Sequence, residues 1–171
     1  REAFNELAFP TSKTEYWKYT RVNKIVGKEY TILKSKATAA ITISDHLIKD
    51  LDAHIVVLEN GFYREDLSKI ESQSGLKIQS LKNVIAESND FIKSNLSSLT
   101  KPEKEIFVAL NTMGFTDGVY IHLDANVTAE KPIYILNITN KNNLISNTRL
   151  IVTTEKNASA KIIESFINIE G

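Results

Sequence analysis

Apolar residues recur with a period of two through the carboxy-terminal half of the chain. Val119, Ile121 and Leu123 alternate with Tyr120 and other polar or aromatic residues. Three comparable stretches follow, at 133–138, 149–153 and 161–169. The alternation predicts four strands separated by turns. Apolar residues also occupy the alternate positions of these strands, which indicates that both faces of the strands are covered. A solenoid with irregular corners and a sandwich of two sheets both fit this pattern.

The amino-terminal half mixes short helical and strand-like patterns. A first helical pattern ends near Leu7, because the residue before Pro10 is driven out of the helical region. Residues 55–58 form an aliphatic run, and the Asn60-Gly61 pair that follows tolerates the positive φ of a tight turn. We therefore predict a strand–turn–strand element there, and a further short strand at 76–81.

A helix is predicted over about 102–113. The run 100–103 fits a capping box with a proline in the first turn, and Gly114 suits a C-terminal cap. One face of this helix is apolar and carries Ile106, Phe107, Leu110 and Met113. The change of pattern at this point divides the chain into an amino-terminal region, 1–100, and a core region, 101–171.

Composition excludes several classes of function. The 171 residues carry 21 Lys and Arg against 21 Asp and Glu, so the formal net charge is zero, and no basic block is long enough to recreate a positive patch. Nucleic acid is therefore not expected as a partner.

The longest aliphatic runs are far shorter than the roughly 20 residues that cross a bilayer, so no membrane span is expected. The chain has no Cys, which removes disulfides, thiolate metal ligands and a Cys nucleophile. Because it begins at Arg1 without an initiator Met, we expect it to be a fragment of a longer protein.

No residue pattern points to an active site. The chain has no metal motif built from closely spaced histidines and no glycine-rich phosphate loop. Its isolated histidines are interpreted as structural or solvated, and its carboxylates at i, i+2 as helix-start charges or solvated faces. These residues are His46, His54, His122, Asp50, Asp52, Glu103 and Glu105. The aromatic cluster Tyr16, Trp17 and Tyr19 could stack a base or a sugar, but its place after a proline turn favours packing against the body of the domain.

Two segments go beyond what these patterns establish. Residues 1–20 read Arg-x-Ala-Phe-x-x-Leu-x-Phe-Pro-Thr-x-Lys-x-Glu-x-Trp-Lys-Tyr-Thr. Residues 107–122 read Phe-Val-Ala-Leu-Asn-Thr-Met-Gly-Phe-Thr-Asp-Gly-Val-Tyr-Ile-His. The first resembles the amino-terminal signature, and the second the entry to the core domain, of the SufB/SufD family of iron–sulfur cluster assembly proteins. The Trp-Lys-Tyr-Thr form is closer to the SufD branch than to SufB.

The resemblance implies an α+β or mainly β fold, in which a helical and mixed amino-terminal region leads into the first coils of a right-handed parallel β-helix. In such a coil Val119, Ile121 and Leu123 point inward, toward Ile133 and toward Leu150 or its neighbour. The implied role is that of a cytoplasmic, non-enzymatic scaffold component of the SUF complex, with a SufB-like paralogue and the SufC ATPase as partners. The alternative is a generic β-helix domain that binds proteins or carbohydrate.

The resemblance carries no catalytic, cofactor-binding or metal-binding residue onto this chain. The family's cluster-related Cys and His residues and the helical part that grips SufC are expected beyond residue 171, so the cluster belongs to the intact complex, and binding of a reduced flavin stays open. The motif residues are expected to be structural, and they are Pro10, Glu15, Trp17, Lys18, Tyr19, Thr20, Ala109, Leu110, Asn111, Asp117 and Gly118. An open β-helix end is also expected to allow self-association.

Overall fold

The structure is a computed structural model that describes residues 2–36, 40–87, 90–96 and 98–170. Within these ranges the strands are β1 Thr31–Ile32, β2 His54–Glu59, β3 Phe62–Tyr63, β4 Leu76–Ser80, β5 Asp117–Leu123, β6 Ile133–Thr139, β7 Leu144–Ile145, β8 Thr148–Thr154 and β9 Ile162–Asn168. The α-helices are α1 Glu2–Glu6, α2 Asn23–Val26, α3 Leu81–Ala86, α4 Asp90–Asn95 and α5 Ile106–Gly114. Single 3-10 turns lie at Glu15–Trp17 and Ser44–His46.

The strands form three sheets. The largest has the order β3-β2-β6-β9, the second has the order β4-β5-β8, and β1 pairs with β7 in a small third sheet. The pairs β2–β6, β6–β9 and β5–β8 are parallel, whereas β2–β3 and β4–β5 are antiparallel. Each of the two larger sheets is therefore mixed.

The two larger sheets pack face to face around a common apolar core, which we call the inter-sheet core. Its buried members come from β2, β4, β5 and β6, and they are Val56, Leu58, Ile78, Val119, Ile121, Leu123, Ile133 and Ile135. The prediction that the side chains of Val119, Ile121 and Leu123 point inward is confirmed, since all three residues are at most 1% exposed. Val119 lies beside Leu150 in the β5–β8 ladder and meets β6 residues across the core.

Other elements cover the outer face of each sheet. On the β4-β5-β8 sheet, Leu81 and Val84 of α3 and Ile92 of α4 pack with Tyr120. On the β3-β2-β6-β9 sheet, Tyr134 and its neighbours on β6 pack against apolar residues of the segment 41–53. Burial on both sides explains why β2, β5 and β6 have apolar residues on both faces, whereas the edge strands β8 and β9 are only partly buried.

The predicted fold class is wrong for the part of the chain that the structure describes. In place of an amino-terminal helical region followed by a right-handed parallel β-helix, the described residues form a small mixed α/β fold with several sheets and no solenoid. The coil was implied by the family resemblance, whereas the strand pattern alone left a solenoid and a sandwich open, since two packed sheets with covered outer faces produce the same pattern. Strands from both sides of residue 100 pair in the same sheets, and the predicted division at residue 100 stays a prediction.

Of the predictions for single elements, some are confirmed and one is wrong in its starting residue. The strand over 55–58 and the Asn60-Gly61 turn are confirmed, with φ of 51° at Asn60 and 87° at Gly61. The helix predicted from 102 begins later, at Ile106, because its N-cap Glu105 is extended and the predicted capping box does not form. Among the described residues, no helix is long and apolar enough to cross a membrane.

A buried ion pair closes the β2–β3 hairpin. Glu59 and Arg64 flank the turn, are 2% and 3% exposed, and form a salt bridge with each other. The second Glu59 oxygen accepts a hydrogen bond from the Asn140 amide at 2.6 Å, so the buried carboxylate is satisfied on both sides. Arg64 also binds Asp66 at 2.6 Å, and this contact lowers the pKa of Asp66 to about 2.

Gly118 provides a stability test of the β5–β8 ladder. A Cβ at this position would overlap the backbone oxygen of Arg149, which cannot retreat without breaking the ladder. We expect Gly118→Ala to lower the free energy of unfolding by about 3 kcal/mol, measured by urea denaturation. Gly27→Ala is the control, because the nearest atom to its added Cβ is 3.1 Å away, and it should cost less than about 1 kcal/mol. Equal losses in the two variants would contradict the packing argument.

Candidate functional site

Several of the motif residues lie in three structural junctions. The first joins the amino-terminal segment to α5, the second joins α5 to β8, and the third surrounds the start of β5. A separate group of titratable side chains lies at the far end of β5.

The first junction is a chain of aromatic contacts. The Trp17 ring packs against Phe107 of α5 with centroids 5.1 Å apart, and Phe9 contacts the same ring at 5.8 Å. The predicted packing role of the aromatic cluster is therefore confirmed for Trp17. It is wrong for Tyr16 and Tyr19, which are 96% and 91% exposed.

The remaining residues of the amino-terminal motif lie in or beside the local turn. Glu15 begins the 3-10 helix, and the Thr20 amide donates to the Trp17 carbonyl at 2.9 Å. Lys18 Nζ lies 5.6 Å from the centre of the Tyr19 ring. Pro10 and Thr20 line a shallow surface cavity of about 460 Å³ whose ionisable lining is Arg21.

The second junction depends on Asn111. Its side-chain amide donates to the Thr148 carbonyl at 2.8 Å, and its oxygen accepts from the Arg149 guanidinium at 2.7 and 3.0 Å. Burial lowers the pKa of Arg149 from its ordinary value, and the guanidinium lies 4.8 Å from the centre of the Phe115 ring. On the same helix Ala109 is buried, and Leu110 lines an apolar groove beside Phe107.

The third junction is the carboxylate of Asp117, which is 6% exposed and accepts four hydrogen bonds. Oδ1 accepts from the Ser80 hydroxyl at 2.9 Å, the Lys82 amide at 3.1 Å and the Gly118 amide at 2.8 Å. Oδ2 accepts from the Tyr63 amide at 3.1 Å. The donors come from both larger sheets and from α3, so this one side chain ties the sheets and the helix together.

A different group of residues gathers where β5 and β8 end. His122 Nε2 lies 3.0 Å from Asp124 Oδ1 and 3.7 Å from Glu155 Oε1. His122 Nδ1 lies 2.8 Å from the Thr153 hydroxyl, which in turn contacts the Tyr120 hydroxyl at 3.0 Å. Among the described residues, this is the group of three His, Asp or Glu side chains with a spacing that a metal ion could bridge.

The sequence patterns do not bring these residues together. The interpretation of His122 as structural or solvated rests on the lack of a closely spaced histidine motif in the sequence. His122 and Asp124 are two residues apart at the end of a strand, so their side chains lie on the same face. This spacing is a sequence signal that could have located the pair. Glu155 joins them because β8 is the parallel neighbour of β5, with His122 opposite Thr153.

The other titratable residues named from the sequence have separate surroundings. Lys131 binds Asp52 at 2.7 Å and Glu71 at 2.6 Å, and these two contacts raise its pKa. His54 is 2% exposed, and its Nδ1 accepts from the Glu71 amide at 3.2 Å. Asp50 lies in a turn with φ of 60°. None of these contacts pairs an acid with a base across a cavity.

Comparison with known proteins gives two findings. The family description "SufBD protein N-terminal region" matches residues 1–135. The chain is also 24% identical over 168 residues to an iron-sulfur cluster assembly SufBD family protein of Synechocystis sp.. The alignment covers 96% of this chain and 37% of that relative, so the chain spans little more than a third of the length of the curated relative it matches.

The Asp117 junction can be tested by removing its charge. In Asp117→Asn an NH₂ group must face at least one of the four buried donors, whichever way the amide turns. We expect a loss of roughly 2 kcal/mol in the free energy of unfolding, measured in urea. Asp45→Asn is the matched control, since Asp45 is exposed and its side chain accepts from the adjacent Ser44 hydroxyl, and it should change stability by less than about 0.5 kcal/mol. A loss at position 117 no larger than at position 45 would refute the role of the junction.

Proposed function

The chain belongs to the SufBD family, and on that premise we propose that it acts in iron–sulfur cluster assembly as a structural scaffold component of a SUF complex. Its partners in the complex are a SufB-like paralogue and the SufC ATPase, and its compartment is the cytoplasm. The observation that carries the proposal is the family match over most of the chain, together with a relative whose name states iron–sulfur cluster assembly.

The contacts of the motif residues fit a structural role within a scaffold. Trp17, Asn111 and Asp117 use their side chains for contacts within the molecule. The cavity beside Pro10 is lined by residues 10–12 and 20–23, and Arg21 is the ionisable member of that lining.

Assignment to the SufD branch rests on the Trp17-Lys18-Tyr19-Thr20 segment. Trp17 of this segment is anchored on α5, while Tyr19 and the preceding Tyr16 point outward with almost their whole side chains exposed. Exposed tyrosines are well suited to protein contacts, because one end of the ring is apolar and the other forms hydrogen bonds. We propose that this face contributes to recognition of a partner within the complex.

Co-purification tests the assembly role. The tagged protein is co-expressed with the SufB-like paralogue and the SufC-type ATPase of the same genome, and the eluted proteins are quantified. We expect the paralogue to elute in about equal amount with the tagged protein, and a Tyr16→Ser/Tyr19→Ser variant to retain less of it. Ile32→Ser, which removes another exposed apolar side chain, is the control and should retain as much as the wild type.

A cellular measurement accompanies this experiment. Depletion of the gene is expected to lower aconitase activity, which depends on an iron–sulfur cluster, and re-expression is expected to restore it. Unchanged aconitase activity together with no co-purified paralogue would overturn the proposal. Loss confined to the tyrosine variant would support the recognition face.

We also propose that the chain self-associates through its sheet edges. The strands β8 and β9 lie at the edges of the two larger sheets, and their apolar residues Val152, Ile162 and Phe166 are 41%, 36% and 71% exposed. Unpaired strand edges with apolar side chains promote edge-to-edge pairing.

Light scattering after size-exclusion chromatography tests this self-association. The mass of the wild type is expected to rise above that of a monomer with concentration, and Phe166→Lys is expected to reduce the rise. Leu99→Lys, which changes an exposed residue outside the sheets, should leave the rise unchanged. A wild-type mass of one chain at every concentration would rule out the contact.

A further inference from the structure

We propose that His122, Asp124 and Glu155 form a binding site for one divalent transition-metal ion, with Zn²⁺ and Fe²⁺ as the chemically matched ions. The proposal does not depend on the assembly role, because it rests on the side chains at the ends of β5 and β8. It concerns a mononuclear ion held by nitrogen and oxygen ligands and does not concern an iron–sulfur cluster.

The distances suit a shared ion. Two ligands that each lie about 2.1 Å from a tetrahedral metal are roughly 3.4 Å apart. His122 Nε2 lies 3.0 Å from the nearest Asp124 oxygen and 3.7 Å from the nearest Glu155 oxygen, so the observed separations lie on either side of this value. The ligand atoms of all three residues lie within 4.8 Å of one another. Small side-chain rotations therefore place all three on one ion.

The backbone fixes two sides of the site. His122 and Asp124 belong to one face of β5 and its extension, and Glu155 follows the last residue of the neighbouring parallel strand β8. The residues on either side of His122, Ile121 and Leu123, are fully buried in the inter-sheet core. The Ala125 amide also donates to Glu155 Oε2 at 3.2 Å, which leaves Oε1 facing His122. A ligand set held by a packed sheet loses little entropy when it binds an ion.

The histidine is oriented as metal-binding histidines usually are. Its Nδ1 contacts the Thr153 hydroxyl at 2.8 Å, and that hydroxyl is itself held by Tyr120 at 3.0 Å. A hydrogen bond at one ring nitrogen fixes the ring, and when Nδ1 donates to this hydroxyl the other nitrogen is left for the ion. Here Nε2 is the nitrogen that faces the two carboxylates.

Charge balance provides an independent argument. The carboxylates of Asp124 and Glu155 both face His122 Nε2. Within the described residues neither carboxylate forms an ion pair with a lysine or arginine. Lys77 lies opposite His122 on β4 but makes no ion pair with either carboxylate. A divalent cation neutralises both negative charges at once. The imidazole nitrogen favours a transition metal over Mg²⁺ or Ca²⁺, which prefer oxygen ligands alone.

The site would also be accessible. The His122 side chain is 19% exposed, whereas those of Asp124 and Glu155 are 52% and 55% exposed, so an ion can enter from the carboxylate side. Three protein ligands leave at least one coordination position for water or another donor, as in open zinc sites.

Metal titration of the purified chain tests the site. Zn²⁺ and Co²⁺ are titrated at neutral pH by isothermal calorimetry, and the Co²⁺ complex is followed by its visible absorption. We expect one ion per chain, and a loss of affinity of at least tenfold in His122→Ala, Asp124→Asn and Glu155→Gln. His46→Ala is the matched control, since it removes another partly buried imidazole far from the site in sequence, and it should bind as the wild type does.

The outcomes distinguish a built site from unspecific binding of metal by surface histidines. No binding by the wild type would overturn the proposal and would leave His122 as an ion-pair partner of the two carboxylates. Equal losses in His46→Ala and His122→Ala would also overturn it, since binding would then reflect surface histidines in general. If His122→Ala fails to fold, the half-exposed Asp124→Asn variant still decides the question. Fe²⁺ that binds without acid-labile sulfide would support the mononuclear site whether or not the assembly role holds.

Discussion

The carboxylate of Asp117 is the contact on which the two larger sheets depend. Its oxygens accept from Tyr63 on β3, Ser80 at the end of β4, Lys82 on α3 and the amide of Gly118. A buried carboxylate is stable only when its hydrogen bonds are made, so each donor must hold its position relative to the others. Ser80 extends this constraint, because its hydroxyl also accepts from the Asn83 amide and caps α3.

With the sheets fixed in this way, the parallel ladders bring together residues that are distant in sequence. The β5–β8 ladder places Gly118 against Arg149 at its beginning and His122 beside Thr153 near its end. The first contact needs a residue without a side chain, and the second orients an imidazole toward two carboxylates. One ladder therefore carries a family motif at one end and the proposed metal ligands at the other.

Local chemistry made part of this structure predictable. The positive φ that Asn and Gly tolerate located the turn at Asn60-Gly61, and alternation located the strands. The fold class was not predictable from alternation, because a coil and a packed pair of sheets both bury two faces of a strand. The group of His122 with Glu155 was not predictable either, since it depends on which strands are neighbours and in what register, and a single sequence does not contain that information.

The long-range pairing also has a consequence for the order in which the chain folds. Asn60, in the turn after β2, hydrogen-bonds to Asn140 just after β6, 80 residues later. As the ribosome releases the chain, β2 can pair with the short β3 and bridge to Lys69, but its long parallel partner β6 emerges much later. Pairing across so long a loop is slow, and an apolar strand that waits unpaired is open to wrong partners. Synthesis of the amino-terminal half therefore passes through a period in which its most buried strand, β2, lacks its long parallel partner.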